Sequence, residues 1–281
     1  MDAAVKGETP SGKGAGDENF PVGSWLIPRA LRPHVASYYA FARAIDDIAD
    51  NPALAAEDKI TRLEGFAAAL NGANNDPAYA KAHALRKTLA ATGISAAHGL
   101  DLISAFKQDA VKPRYENWAE LIDYCLRSAA PVGRFLCDLH GEDKALYPLS
   151  DALCNALQVI NHLQDCAKDY ADMDRVYLPQ EWMRAAGTTV EDLKKPASTP
   201  GLKQVLDRCV AGTEALMTEA RKLPKAMKHR SLAAETAVIV SVADELTRRL
   251  ARQDPLAMRV ALKPFGYLSA ATRGLLRLWI L

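Results

Sequence analysis

Apolar residues recur at three- and four-residue intervals along most of the chain, and strictly alternating runs are scarce. The spacing predicts helices over about 55–70, 78–91 and 95–111, one opening at Trp118, another over 149–170, and two long ones over 202–223 and 232–253. Asn-Gly, Asp-Pro and Thr-Gly pairs separate the first three. Before them, Pro33 suits the N1 position of a first helix, and Asn51-Pro52 stops that helix just after Asp50. Asn117 is placed to cap the helix at Trp118, while Pro131 and Gly133 predict a kink within it. The run 237–243 is β-prone but sits between helix formers. The chain therefore reads as one all-α domain over 17–281, preceded by a small, charged, Gly-rich flexible tail over 1–16.

Two stretches interrupt the apolar faces with charge. In Tyr39-Ala-Phe-Ala-Arg-Ala-Ile-Asp-Asp-Ile-Ala-Asp50, a helix gathers Tyr39, Arg43, Asp46, Asp47 and Asp50 into one polar stripe. Asp46 and Asp50 would repel by roughly 2 to 3 kcal/mol at an effective dielectric of about 20, a cost that a bound cation removes. Far downstream, Asn161, Asp165 and Asp169 repeat at four-residue steps, with Gln158 two turns before Asp165. One Asp-x-x-x-Asp pair is most often a solvated helix face. Two of them, each among apolar residues, point to a site in which several Mg²⁺ ions bridge both pairs to a diphosphate. A carboxylate-bridged di-iron bundle is disfavoured, because no Glu-x-x-His occurs.

Composition narrows the partners. A net charge of +1 over 281 residues does not suggest a broad nucleic-acid surface. Five cysteines without a C-x-x-C pair (Cys125, Cys137, Cys154, Cys166 and Cys209) read as reduced packing thiols. Gly12-Lys-Gly-Ala-Gly16 imitates a dinucleotide fingerprint, but Asp17 takes its last glycine position and no strand precedes it. The first twenty residues lack an apolar signal core, and no run approaches the roughly 20 apolar residues of a membrane span, so a cytoplasmic protein is expected. The small residues Ser128, Ala129, Ala130 and Gly133 admit either a bulky apolar ligand or close helix packing. The end, 264–281, combines apolar side chains with Arg273 and Arg277, and reads equally as an interfacial helix or as a last helix packed on the core, with Gly274 weakening the helix.

In this order, Phe41-Ala-Arg-Ala-Ile-Asp-Asp-Ile-Ala-Asp50, Tyr124 through Gly133, Leu157-Gln-Val-Ile-Asn161 with Asp165 to Asp169, and Arg175-Val-Tyr-Leu-Pro179 resemble the squalene and phytoene synthase family. The resemblance runs from about Glu18 to Arg259. It implies an all-α terpenoid synthase bundle around a central apolar cavity, with Mg²⁺ bridging a prenyl diphosphate. Condensing members usually open with His-Ser-x-Ser-Phe and carry Asn-Ile-Leu-Arg-Asp-x-x-Glu-Asp, whereas this chain has Gly16-Asp-Glu-Asn-Phe20 and Asn161-His-Leu-Gln-Asp-Cys-Ala-Lys-Asp169. Gln164 stands for Arg and Lys168 for Glu, which alters the phosphate and metal surroundings.

Those departures, with Ser128-Ala-Ala-Pro-Val-Gly-Arg134, are most similar to the bacterial hydroxysqualene synthases of squalene and hopanoid biosynthesis. The activity implied is ionisation of presqualene diphosphate and capture of the cation by water. The resemblance implies that Asp46, Asp50, Asp165 and Asp169 hold Mg²⁺, with Asp47 a ligand or a support and Asn161 assisting. It implies that Arg43, Arg175 and Arg259 reach diphosphate, and that Ser128 and Gly133 leave room for the chain. Tyr39, Tyr124, Tyr177 and His162 are candidates to position the water. A presqualene diphosphate synthase is the expected supplier, and peripheral contact with the inner membrane is expected of an enzyme with a lipid substrate. Presqualene diphosphate or phytoene synthesis, and a non-catalytic assembly factor of the same fold, are the alternatives.

Overall fold

The computed structural model describes residues 7–9 and 26–280, except for the side chains of 279 and 280. Four helices, α1 (Arg32–Ala49), α2 (Ala56–Leu70), α3 (Ala80–Thr92) and α4 (Ala97–Asp109), pack against one another. Next, α5 (Trp118–Ser128) and α6 (Ala130–Leu139) connect α4 to α7 (Tyr147–Gln164), which is followed by α8 (Cys166–Met173) and the short α9 (Gln180–Ala185). The remaining helices are α10 (Pro200–Ala220), α11 (Leu223–Ala226), α12 (Arg230–Leu250) and α13 (Pro264–Ile280); α10 and α12 lie against α7, and α13 runs along α12. Among the described residues the one β-bridge is isolated, between Arg114 and Val176. The all-α expectation is met.

The core forms where the apolar faces of these helices meet. Phe41, Ile45, Ile48, Leu63, Phe66, Leu85, Leu102, Phe135 and Ile160 are all fully buried, each contributing about 1.5–3 kcal/mol relative to an exposed side chain. Tyr38 of α1 stacks on Phe135 of α6 with ring centroids 4.0 Å apart, which ties the first helices to the middle of the chain. The five cysteines are all free, and all but Cys154 are buried.

Helix ends differ from the periodicity in instructive ways. Helix α1 begins at Arg32, so Pro33 occupies its second position, where a missing N–H is equally harmless. Asn117 caps α5 by accepting from the Glu120 amide at 2.9 Å. In place of a kink, the chain breaks at Ala129 (φ −126°, ψ −46°), and Pro131 falls in the first turn of α6. The helix expected over 149–170 bends at Asp165 (φ −107°, ψ 8°) into α7 and α8, although Asp165 N–H still bonds Asn161 at 3.0 Å and Asp169 N–H bonds Asp165 at 2.8 Å. The helix expected over 202–223 ends at Ala220, and Pro224, which has no N–H to continue it, sits in the first turn of α11.

Of the expected tail, residues 7–9 are described and lie on α1 and α3. Thr9 donates to the Asp47 carbonyl at 3.2 Å and Glu8 pairs with Lys81 at 2.7 Å. The rest of 1–16, the glycine run ending at Gly16, and the Gly16-to-Phe20 segment lie outside the described residues. At the other end, 264–280 forms α13. Gly274 of α13 lies so close to α12 that an added Cβ would meet the Ala237 carbonyl carbon at 2.8 Å, while Phe265, Leu268 and Leu276 remain exposed. Among the described residues no helix is long and apolar enough to cross a membrane.

Gly133 resolves the small-residue question on its own helix. A Cβ there would collide with Ser150 Oγ and come within 2.7 Å of Cys154 Sγ, so the glycine serves the contact between α6 and α7. Replacing Gly133 by Val is expected to cost about 1–3 kcal/mol of stability through overpacking. Chemical denaturation followed by circular dichroism would read this, and an unshifted midpoint would mean that the two helices separate freely.

Candidate active site

The bundle encloses a cavity of about 410 Å³ walled by α1, α4, α5, α6, α7, α8 and α12. Its two ends differ chemically because of how residues are ordered along the helices. On α1 the lining runs Val35, Tyr38, Tyr39, Ala42 and then Arg43, Asp46, Asp50; on α4 it runs Leu102, Phe106 and then Asp109. Val132, Phe135 and Leu136 of α6 extend the apolar wall, and Asn161, Asp165 and Asp169 add to the acidic end. Asp46 and Asp50 lie in the last turn and C-cap of α1, Asp109 is the last residue of α4, and Asp165 is the C-cap of α7. Helix C-termini carry about half a negative charge from the aligned peptide dipoles. Asp46, Asp50 and Asp109 therefore sit where a helix itself disfavours a carboxylate and attracts a cation, whereas Asp165 is also the N-cap of α8 and Asp169 lies in its first turn.

That repulsion shows in the acids themselves. Burial and then the neighbouring Asp50 raise Asp46 well above the usual carboxylate range, against the pull of Arg43. Asp169 is pushed up to about 7 by burial, then by Asp165 and Asp50. Two arginines hold the cluster. Arg175 is buried, donating from Nη1 to Asp50 Oδ1 at 2.5 Å and from Nη2 to the Ala49 carbonyl at 2.7 Å. Burial works against its charge, but Asp109, Tyr177 and Asp50 outweigh this and hold it above an ordinary arginine. Arg43 Nη2 lies 2.7 Å from both Asp46 Oδ2 and Asp47 Oδ1. Among the described residues no three carboxylate, imidazole or thiol groups converge closely enough to cage an ion. A metal held here would need oxygens from its ligand.

Backbone pairing aims Arg175 and Tyr177. Asp174 ends α8 in a left-handed turn (φ 52°), after which the Val176, Gln180 and Glu181 amides each bond the 113–116 segment at 2.9 Å. Tyr177 then stacks on His162 with ring centroids 3.5 Å apart. Tyr124 Oη donates to Asp109 Oδ2 at 2.6 Å, and Tyr177 Oη to Asp109 Oδ1 at 3.4 Å. Burial pushes Asp109 up to about 7, offset in part by Arg175. Ser128 Oγ and His162 Nε2 are buried with no hydrogen-bond partner among the described residues.

The structure thus brings Tyr39, Arg43, Asp46, Asp50, Tyr124, Ser128, Asn161, His162, Asp165, Asp169, Arg175 and Tyr177 to one cavity. It does not bring three of the other residues singled out. Asp47 is buried behind Arg43, which grips its Oδ1 from Nε at 2.9 Å. Gly133 faces α7, and Arg259 is exposed on the segment between α12 and α13. Gln164 also leaves the wall and donates to the Val260 carbonyl, whereas Lys168 lines it and pairs with Asp172 at 3.0 Å. Cys166 packs outside the cavity, its thiol pushed up to about 12 by burial.

Two acids in the wall, Asp109 and Glu235, escaped the motif search. Asp109 did leave a trace. It continues the spacing of Leu102 and Phe106 by one turn, so an acid stands where an apolar face should go on.

Burial, and then Arg175, lower His162 from an ordinary 6.5 to about 3, so its imidazole is neutral when folded. Between those values the unfolded chain binds a proton that the folded one does not, so this contribution is complete above pH 6.5 and is lost as pH falls toward 3. Relative to His162→Gln, the protein should lose about 1.4 kcal/mol of stability per pH unit below that upper value. Urea unfolding of both proteins between about pH 7.5 and 5 measures this. A difference independent of pH would mean that the folded imidazole charges freely.

The squalene/phytoene synthase family model matches residues 14–265. The hydroxysqualene synthase of Zymomonas mobilis is 44% identical over 89% of this chain and 84% of its own length. That of Rhodopseudomonas palustris is 44% identical over 94% and 90%. The phytoene synthase of Pseudescherichia vulneris is more distant, at 30% over 71% and 67%. Among solved structures, squalene synthase HpnC from Alicyclobacillus acidocaldarius superposes with a TM-score of 0.72 at 34% identity, covering 83% of this chain and 87% of that one. A dehydrosqualene synthase at 20% identity shares the fold, with a TM-score of 0.71 over 89% and 87%. By its sequence, its helical architecture and its acid-ended cavity, the chain belongs to the squalene/phytoene synthase family.

Proposed function

We propose that this protein acts as a hydroxysqualene synthase, ionising presqualene diphosphate and joining the resulting carbocation to water to give hydroxysqualene and diphosphate. The observation that carries the reading is one cavity with carboxylates and arginines at one end and hydrocarbon walls at the other. The 42–44% identity to hydroxysqualene synthases supports this choice over condensation, since the phytoene synthase matches are at 28–32%.

In this reading Asp46, Asp50, Asp165 and Asp169, with Asn161, hold Mg²⁺, and the mutual repulsion of the acids fits that donor set. Magnesium bound there would neutralise charge growing on the departing diphosphate. Arg43 and Arg175 bind the same oxygens, and Asp47 orients Arg43. The apolar walls keep bulk water from the cation, and Tyr38, Phe106 and Phe135 stand among them, with Tyr38 and Phe135 stacked on each other. Arg259, which lies off the cavity wall, has no part in it. The substrate must come from an enzyme that joins two farnesyl diphosphates head to head.

With Mg²⁺, presqualene diphosphate should yield hydroxysqualene by mass spectrometry, and farnesyl diphosphate alone should yield nothing. Asp46→Asn and Asp165→Asn should each lower turnover by about 10²-fold or more with the far-ultraviolet spectrum unchanged. A C30 product from farnesyl diphosphate would make this a condensing synthase, and inactivity with both substrates would favour an assembly factor.

Peripheral membrane contact through α13 belongs to the same proposal. From Asp244 to the end the chain carries seven cations against three acids, and Phe265, Leu268 and Leu276 are exposed among them. Co-sedimentation with vesicles containing phosphatidylglycerol, but not with pure phosphatidylcholine, is expected, and Phe265→Ser with Leu268→Ser should weaken it. Equal binding to both lipids, or none, would remove α13 from this role.

A further inference from the structure

Capture of a carbocation by water leaves a proton that something must take, and the acidic end of the cavity is poorly suited to the task. Asp50 is committed to Arg175, Asp46 to Arg43, and Asp165 and Asp169 to the diphosphate end. His162 is buried with its ring stacked on Tyr177, which fixes it as a group that can orient a water. Asp109 is different. It lines the same cavity from the last turn of α4, and among the described residues its hydrogen-bond partners are two phenols, Tyr124 and Tyr177. Among the described residues no guanidinium or ammonium hydrogen-bonds its carboxylate, and burial raises its affinity for a proton to about 7 although the nearby charge of Arg175 pulls the other way.

We propose that Tyr124 and Asp109 form a relay that accepts the proton of the capturing water; this rests on the hydroxysqualene synthase reading. Tyr124 is 2% exposed, faces the cavity, and spends its own proton on Asp109 Oδ2 at 2.6 Å. Its oxygen lone pairs remain to accept from a water. As a lone pair of that water forms the C–O bond, one water O–H bond breaks with its electrons staying on oxygen. The proton passes to Tyr124 Oη while the phenolic proton passes to Asp109 Oδ2. The alcohol is neutral, Tyr124 is unchanged, and Asp109 ends as a neutral acid that returns its proton to solvent once product leaves. Ser128 Oγ, one helical turn beyond Tyr124, and His162 Nε2, both without a partner among the described residues, mark polar spots on the same wall where such a water could be steadied. Tyr124 touches the reacting water, and Asp109 acts through it.

The test separates ionisation from capture. Wild type, Asp109→Asn and Tyr124→Phe are incubated with Mg²⁺ and presqualene diphosphate under single-turnover conditions, and hydroxysqualene is counted per diphosphate released. The relay predicts that this ratio falls by about 10²-fold or more in both variants, the lower end of what a positioned general base contributes, with C30 polyenes or rearranged products making up the difference. A merely structural role would slow both events together and keep the ratio. An unchanged ratio in either folded variant overturns the relay, as does complete loss of diphosphate release in both with the fold intact. Tyr124→Phe, which removes one oxygen, decides the matter should Asp109→Asn not fold. If the wild type itself makes no hydroxysqualene, the functional reading fails, and the relay fails with it for that separate and visible reason.

Discussion

The structure depends on a concentration of negative charge that the fold alone does not relieve. The C-terminal ends of α1, α4 and α7 meet at one end of the cavity, and each delivers a carboxylate there: Asp46 and Asp50, Asp109, and Asp165. The ends of α1 and α4 add their own partial negative charge, worth about 0.3–1 kcal/mol against a carboxylate in the last turn, while at Asp165 the start of α8 opposes the end of α7. Pairs of acids about 6 Å apart add roughly 2–3 kcal/mol at an effective dielectric near 20. Against a net stability of about 5–15 kcal/mol for a domain, such terms are large. The hydrophobic core, from Phe41 to Ile160, has to carry them, and cations that bind with a ligand would relieve them.

Arg175 is the permanent part of the compensation. One buried guanidinium neutralises Asp50 and satisfies the Ala49 carbonyl at the end of α1, where four carbonyls have no partner within the helix. It reaches that position because the chain turns at Asp174 and then pairs with 113–116. The same short pairing sets Tyr177 against His162 and, through its hydroxyl, against Asp109. One irregular segment of a helical protein thus arranges both the anion-binding end and the polar wall.

Helices and paired carboxylates were legible in the sequence because both are periodic. A stripe such as Arg43, Asp46 and Asp50 declares its face whatever lies opposite. Asp109 was only faintly legible: it interrupts the apolar spacing of Leu102 and Phe106, but a lone acid gives no period of its own and reads like any solvated helix end. Gly133, read as leaving room for the chain, and Gln164, read as altering the phosphate surroundings, turn elsewhere for a related reason. Sequence spacing places a residue on a helix face, but which neighbour fills that face, α7 for Gly133 and Val260 for Gln164, is a property of the packing. The bend at Asp165 was invisible too, since the four-residue hydrogen bonds on both sides of it survive. The resemblance carried Arg259 to the site on its motif, and the structure leaves it exposed.

A cavity whose sole task was to shelter a cation from water would be best lined by hydrocarbon and aromatic faces throughout. This wall is not. Ser128 and His162 each bury a polar atom with no partner among the described residues, a state that costs about 1–3 kcal/mol apiece. Asp109 adds a buried carboxyl whose charged form burial disfavours. They come from α5, α7 and α4, yet they border the same space, and the Tyr124 and Tyr177 rings, 5.7 Å apart, lie among them. Packing alone offers no return for such costs in one wall, whereas a polar guest held beside Tyr124 would offer a partner to Ser128 and His162 and would reach Asp109 through the Tyr124 hydroxyl. Water is the guest that the proposed reaction requires, so the features that weaken the empty fold are those that give it a place for its second substrate.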